Sequence, residues 1–175
     1  MKAEEFSNLN PRRIRRWFPK KIQPYFETAK EKKMEDGMLI DGQLTCCAAH
    51  DFAVLAEGEV RRGPFSGMSL FPDGDRVVLT ARCPRCGREI PVFDSDCDGY
   101  DSLESPRSIP AALQPIACPK CKKNRFSVCI RYEYSDIEEI GEVADKENAF
   151  SWIRITLRCS RCGKRYRNFI DEETA

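Results

Sequence analysis

Between Cys118 and Cys162 the chain reads Cys-Pro-Lys-Cys, an alternating run from Phe126 to Tyr134, an acidic connector, a second alternating run from Trp152 to Leu157, and then Cys-Ser-Arg-Cys. No other feature limits the fold as much. A Cys-x-x-Cys turn sets two thiolates on one side of the backbone. A β-hairpin brings two such turns together, and four thiolates at one point make a tetrahedral metal site. Gly after the second cysteine (Gly87, Gly163) lets the backbone fold under the ion, and Pro after the first (Pro84, Pro119) fixes entry into the turn.

Cysteine usage supports metal over disulfides. The 175 residues contain 10 cysteines, many at the two-residue spacing. The start, MKAEEFSNLN, lacks the apolar core of a signal peptide, and no window approaches the roughly 18 apolar residues of a membrane span. The expectation is a cytoplasmic protein whose thiols stay reduced, with zinc as the cofactor at two ions per chain.

The order of elements is read twice. In residues 116–175 a cysteine pair (Cys118, Cys121) precedes a strand with Phe126, Val128, Ile130, Tyr132 and Tyr134 on one face. A connector over 135–149 follows, then a strand with Ile153, Ile155 and Leu157, the pair Cys159 and Cys162, and a last strand from Tyr166 to Ile170. In residues 39–103 a strand-like run from Phe52 to Val60 gives way to a Gly- and Pro-rich loop over 61–75. A strand over 76–82, the pair Cys83 and Cys86, and a short strand over 90–93 complete the copy. Its leading pair is irregular: Cys46 and Cys47 are adjacent, and His50 is the only histidine. Strand phase favours Cys46, because Leu44 lies two residues before it; spacing to His50 favours Cys47. The assignment takes Cys47 and His50 with Cys83 and Cys86, and leaves Cys46 as the alternative. Cys97 and Cys129 have no partner at metal spacing and read as packing thiols.

The first 38 residues read as a basic helical segment. Asn10-Pro11 is a helix start, and Pro19 stops it. A second helix is expected from about Pro24 to Asp36, with Gly37 after its end. Residues 104–115 read as a linker. Asp94, Asp96, Asp98 and Gly99 form the opening of a calcium loop, but the closing Glu is absent and Ser105 stands there, so the stretch reads as a solvated acidic turn.

This arrangement resembles the zinc-ribbon fold group, on Cys118, Cys121, Cys159 and Cys162 with their strands and on Cys83, Cys86 and their partners. The expected fold is thus mostly β, small and metal-stabilised: two tandem zinc-ribbon units of antiparallel strands, preceded by short N-terminal helices. The resemblance implies transcription factors, polymerase subunits, ribosomal proteins, topoisomerase tails and adaptors alike, so it specifies fold and not role.

Charge bears on role. Lys and Arg total 29 against 28 Asp and Glu, with the middle of the chain acidic and the start basic, so bulk attraction to nucleic acid is weak. Local patches remain: Arg12, Arg13, Arg15, Arg16, Trp17, Lys20 and Lys21 in the start, and Arg154, Lys164, Arg165 and Arg167 in the second unit, near Tyr132, Tyr134 and Trp152. Catalysis has little support: there is no phosphate-binding loop, no dinucleotide signature and no unligated histidine base. The reading is therefore a non-enzymatic zinc protein acting as an interaction module for a protein partner or larger assembly. Nucleic-acid binding stands as the alternative, and a thiol-redox or zinc-handling role as a third.

Overall fold

The computed structural model describes residues 18–35, 37–74, 76–103, 110–135 and 145–174. The described residues form eleven strands: β1 (Phe26–Lys33), β2 (Gly37–Leu44), β3 (Ala53–Glu57), β4 (Glu59–Gly63), β5 (Gly67–Phe71), β6 (Val78–Arg82), β7 (Glu89–Asp94), β8 (Gln114–Pro115), β9 (Phe126–Ser135), β10 (Trp152–Cys159) and β11 (Arg165–Glu173). They pair antiparallel in a five-stranded sheet ordered β1-β2-β9-β10-β11, a four-stranded sheet ordered β7-β6-β3-β8, and the hairpin β4-β5.

Alternation along β9 sets the core. Phe126, Val128, Ile130, Tyr132 and Tyr134 are all buried on one face, and Ile153, Ile155 and Leu157 of β10 join them. Val54 and Ala56 of β3, Leu79 and Ala81 of β6, and Ile90, Val92 and Phe93 of β7 belong to the same continuous cluster. One core thus serves both sheets.

The lead-in strands are exchanged between the sheets. β2 runs toward Cys46, yet it pairs along its length with β9, from Gly37↔Ser135 to Gln43↔Cys129. β8 precedes Cys118, yet it pairs with β3 through Leu55↔Pro115 and Ala56↔Gln114. Phe52 and Phe126 exchange both backbone hydrogen bonds, at 2.8 and 2.9 Å. The hydrogen bonding thus crosses the division expected between residues 39–103 and 116–175.

The helix expected over 24–36 is instead the strand β1. Pro24 sits in a 3-10 turn, Gln23–Tyr25, and the chain leaves it extended. The segment FETAKEKK offers too few apolar residues for a helical stripe that could dock, so pairing with β2 decides its state. Its Lys and Glu side chains suit an exposed sheet edge. Phe26 anchors it: the ring lies 4.7 Å from Phe18 and 6.0 Å from Tyr132. It also covers Gly42, where a Cβ would come within 2.3 Å of the ring. No helix of the described residues is long and apolar enough to cross a membrane. The helix expected from Asn10 to Pro19 falls almost wholly outside the described residues; Phe18, at its end, is buried.

Two loops are more ordered than their composition suggests. Gly58, at φ 135°, separates β3 from β4, and most of the stretch read as a loop over 61–75 is the β4–β5 hairpin. The acidic turn after β7 packs against its surroundings. Arg76 grips Asp94 with two hydrogen bonds of 3.1 and 2.7 Å and approaches Asp96 at 3.5 Å. Asp98 is buried, paired with Lys21 and accepting from the Asp94 N–H at 2.7 Å. The oxygens that a calcium ion would need are held by side-chain cations and a backbone donor.

Candidate metal centres

Each tetrad forms where two turns meet at the end of a three-stranded meander. Three of the four turns share one geometry. The carbonyl of Cys83, Cys118 or Cys159 accepts from the N–H four residues on, at 2.9, 2.8 and 2.9 Å. The N–H of the same cysteine donates to the carbonyl five residues on, at 2.8, 2.9 and 2.8 Å. The fifth residue of each turn is left-handed: Gly87 at φ 73°, Lys122 at φ 62° and Gly163 at φ 72°. Glycine takes that conformation without cost, which is why it marks two of these turns in the sequence.

In the second centre the sulfurs of Cys118, Cys121, Cys159 and Cys162 converge. Cys118 and Cys162 are 3.7 Å apart, and Cys121 and Cys159 are 3.5 Å apart. A thiolate tetrahedron with bonds of about 2.3 Å has edges of about 3.8 Å. The donor set therefore fits a thiophilic ion of tetrahedral habit. Burial pushes the Cys118 thiol up, but hydrogen bonds from the Tyr166 hydroxyl and from the backbone of Cys121 and Lys120 outweigh it and bring it down to about 6. The Tyr166 oxygen lies 2.9 Å from that sulfur. Sequence reasoning placed Tyr166 only as the start of a strand; nothing in its spacing marks it as a partner of the metal site.

The first centre corrects the ligand assignment. The group that could hold an ion is Cys46, Cys47, Cys83 and Cys86, and His50 is outside it. Cys46 Sγ lies 3.7 Å from both Cys47 Sγ and Cys86 Sγ. The cause is the turn. Cys46 and Ala49 exchange backbone hydrogen bonds of 3.1 and 2.8 Å, and the two residues between them are left-handed, Cys47 at φ 52° and Ala48 at φ 56°. This tight two-residue reversal aims adjacent side chains into one site. His50 follows the reversal and is exposed, lining a groove between the two metal ends. The phase of β2, with Leu44 and Cys46 both buried, was the usable signal for Cys46.

The two centres differ in cover. Cys47 and Cys86 are exposed, whereas all four cysteines of the second centre are buried or half-buried. Burial, with hydrogen bonds to Cys83, Cys86 and Cys47, pushes the Cys46 thiol up to about 12. The Arg88 backbone, with the neighbouring thiols, brings Cys86 down to about 7. Four thiols this close cannot all ionise on their own; a divalent cation would offset the repulsion.

The other residues singled out in the sequence scatter. Arg12, Arg13, Arg15, Arg16 and Trp17 lie outside the described residues. Lys20 faces Asp145 at 3.9 Å on the surface, and Lys21 is taken by Asp98. Tyr132 and Tyr134 are core residues. The Trp152 Nε1–H donates to Asp171 at 2.6 Å, and Arg154 pairs with both Glu133 and Asp171. Lys164 donates to the Phe65 carbonyl at 2.9 Å. Arg165 and Arg167 remain exposed. Cys97 is half-buried and Cys129 is exposed, both away from the tetrads.

Comparison with protein-family models, curated proteins and solved structures finds no match. What the molecule itself establishes is a mostly β chain with two cysteine tetrads, each able to hold a metal ion, compatible with zinc-ribbon-like units.

Proposed function

We propose that this chain is a non-enzymatic zinc protein, a tandem pair of zinc-ribbon-like units that serves as an interaction module for a protein partner or larger assembly. The convergence of two four-cysteine sets carries the reading. Four protein thiolates complete a tetrahedral ion, so neither centre keeps an open position for substrate, and both ions act by holding turns together. The partner face we assign is the β4–β5 hairpin. Phe65, at its tip, is 94% exposed, and Val60 and Phe71 are partly exposed toward its open end. A bare aromatic ring at a hairpin tip is the kind of anchor that fills a pocket on another protein.

Elemental analysis of the purified 175-residue chain tests the scaffold. Two zinc ions per chain and loss of β structure on chelation are expected; one ion, none, or a metal-free chain that keeps its fold overturns the reading. A photo-crosslinking residue at position 65 tests the partner. One dominant protein adduct is expected in the host cell, absent when the label is moved to the exposed edge at Lys32.

A further inference from the structure

We infer that the open face of the five-stranded sheet, continued by the groove between the two metal ends, is a track for the phosphate backbone of a single nucleic-acid strand. This goes beyond the reading above by assigning a second surface and a second partner class, and it rests on that reading because the metal turns form the groove's walls.

Several arginines on this face already have acid partners. Asp41 holds Arg131 with hydrogen bonds of 2.7 and 3.1 Å. Glu133 and Asp171 hold Arg154, and Asp51 holds Arg125 at 2.9 and 2.6 Å. Arg85, Arg158, Arg165 and Arg167 are left exposed with no acid partner among the described residues. Arg158 and Arg165 stand directly opposite each other in the β10–β11 register. Like charges at such a position destabilise a sheet, and a bound anion would turn the cost into a gain. With both centres loaded, each zinc ion and its four thiolates add −2 to the formal charge of +1, giving −3. The positive cluster therefore stands on a chain that is negative overall.

Shape narrows the occupant. The sheet face carries a groove of about 710 Å³, floored by short side chains such as Ser127, Cys129 and Thr156. A second groove of about 560 Å³ lies between the metal ends, and Ser127 and Arg158 line both. The joined trench exceeds what one small ligand needs and suits a chain with repeated negative charge. Among the described residues the exposed large apolar side chains are Met34, Val60, Phe65 and Phe71, and none lines either groove. An acidic peptide would find no apolar anchor there. Tyr132 and Tyr134 are buried and cannot stack on bases, so the grip is on phosphate and indifferent to sequence.

The test uses the zinc-loaded full chain with fluorescein-labelled 15-nucleotide oligo(dT) and oligo(rU), read by anisotropy from 50 to 200 mM KCl. Binding is expected with a log–log salt slope of about −3, from four phosphate contacts at about 0.7 each. R158A/R165A/R167A should bind about 100-fold more weakly at 100 mM salt, with a slope shallower by about 2. Zinc content is measured on the same samples, so a failure here with two ions retained sinks the track alone. The track is overturned by no binding at 50 mM salt or by wild-type affinity in the triple variant. R12A/R13A/R15A/R16A losing binding while the triple variant keeps it overturns it too, as does equal binding of a polyglutamate 15-mer or a duplex.

Discussion

Asn124 is the residue on which the joining of the two units can be tested most directly. It follows the Cys118–Cys121 turn, yet its side chain reaches β3 in the other sheet. Its Oδ1 accepts from the Val54 N–H at 2.7 Å, and its Nδ2 donates to the Val54 carbonyl at 3.0 Å. The amide thus stands in for a peptide unit, filling the gap between the β8 pairing and the Phe52–Phe126 bridge. Val54 is fully buried. Asn124→Ala leaves its N–H without a partner, which costs about 1–3 kcal/mol. Its carbonyl keeps the Ile116 N–H at 2.9 Å, so that side loses only about 0.5–1 kcal/mol. The expected total is about 1.5–4 kcal/mol, or roughly 3–16 °C in Tm for a chain of this size. Urea unfolding under saturating zinc, followed by circular dichroism, reads it. Arg125→Ala is the control, because the neighbouring surface pair with Asp51 is worth less than about 1 kcal/mol. A loss below about 0.5 kcal/mol for Asn124→Ala, or one no larger than the control, would refute the argument.

Other perturbations probe separate parts of the fold. Tyr166→Phe keeps the ring packed near Phe126, at 6.2 Å, but removes the donor to Cys118; zinc affinity at the second centre should fall about 10-fold in chelator competition, and an unchanged affinity would deny the hydroxyl a role. Arg76→Ala strands Asp94 and Asp96, both largely shielded, and should cost about 2–4 kcal/mol in urea. In the wild type, millimolar calcium should leave Tm unchanged, whereas a clear rise would favour calcium binding over the acidic-turn reading. The isolated segment 116–175 should fail to fold as a monomer even with zinc, because β9 would lose β2 along one whole edge; a folded monomer would show that the exchange is dispensable.

The sequence makes the cysteine turns and the strands beside them legible for a simple reason. Turn geometry constrains residues close together in the chain, and Gly87, Gly163 and the alternation of Phe126 to Tyr134 record it. The pairing of β2 with β9 joins residues about ninety positions apart, and no local pattern encodes which hydrophobic edge meets which. The segment FETAKEKK looks helical because Lys, Glu and Ala favour helices locally, and the ladder with β2 overrides that preference. Cys47 and Ala48 adopt left-handed backbone without the Gly or Asn that usually signals it, so the adjacent-cysteine turn was not marked. Tyr132 and Tyr134 lie on the face that alternation assigns them with Phe126, Val128 and Ile130, and burial removes them from the basic patch they neighbour in sequence. The Tyr134 hydroxyl instead donates to the Glu147 carbonyl at 2.9 Å, and the ring packs inside.

The exchange of lead-in strands predicts that the chain needs both cysteine sets at once. In a three-stranded meander the first strand has a free edge, and here those first strands are β3 and β9. Each edge is covered by the strand leading into the other unit's partner turn: β2 covers β9 and then turns at Cys46, while β8 covers β3 before the turn at Cys118. An ion at the first centre therefore fixes the end of a strand that closes the second sheet. An ion at the second centre fixes the end of a strand that closes the first. With one core continuous between the sheets, loosening either turn exposes an edge and a share of that core in the other unit. The two metal sites should act as one cooperative unit, so that chelation gives a single unfolding transition in which neither sheet outlasts the other.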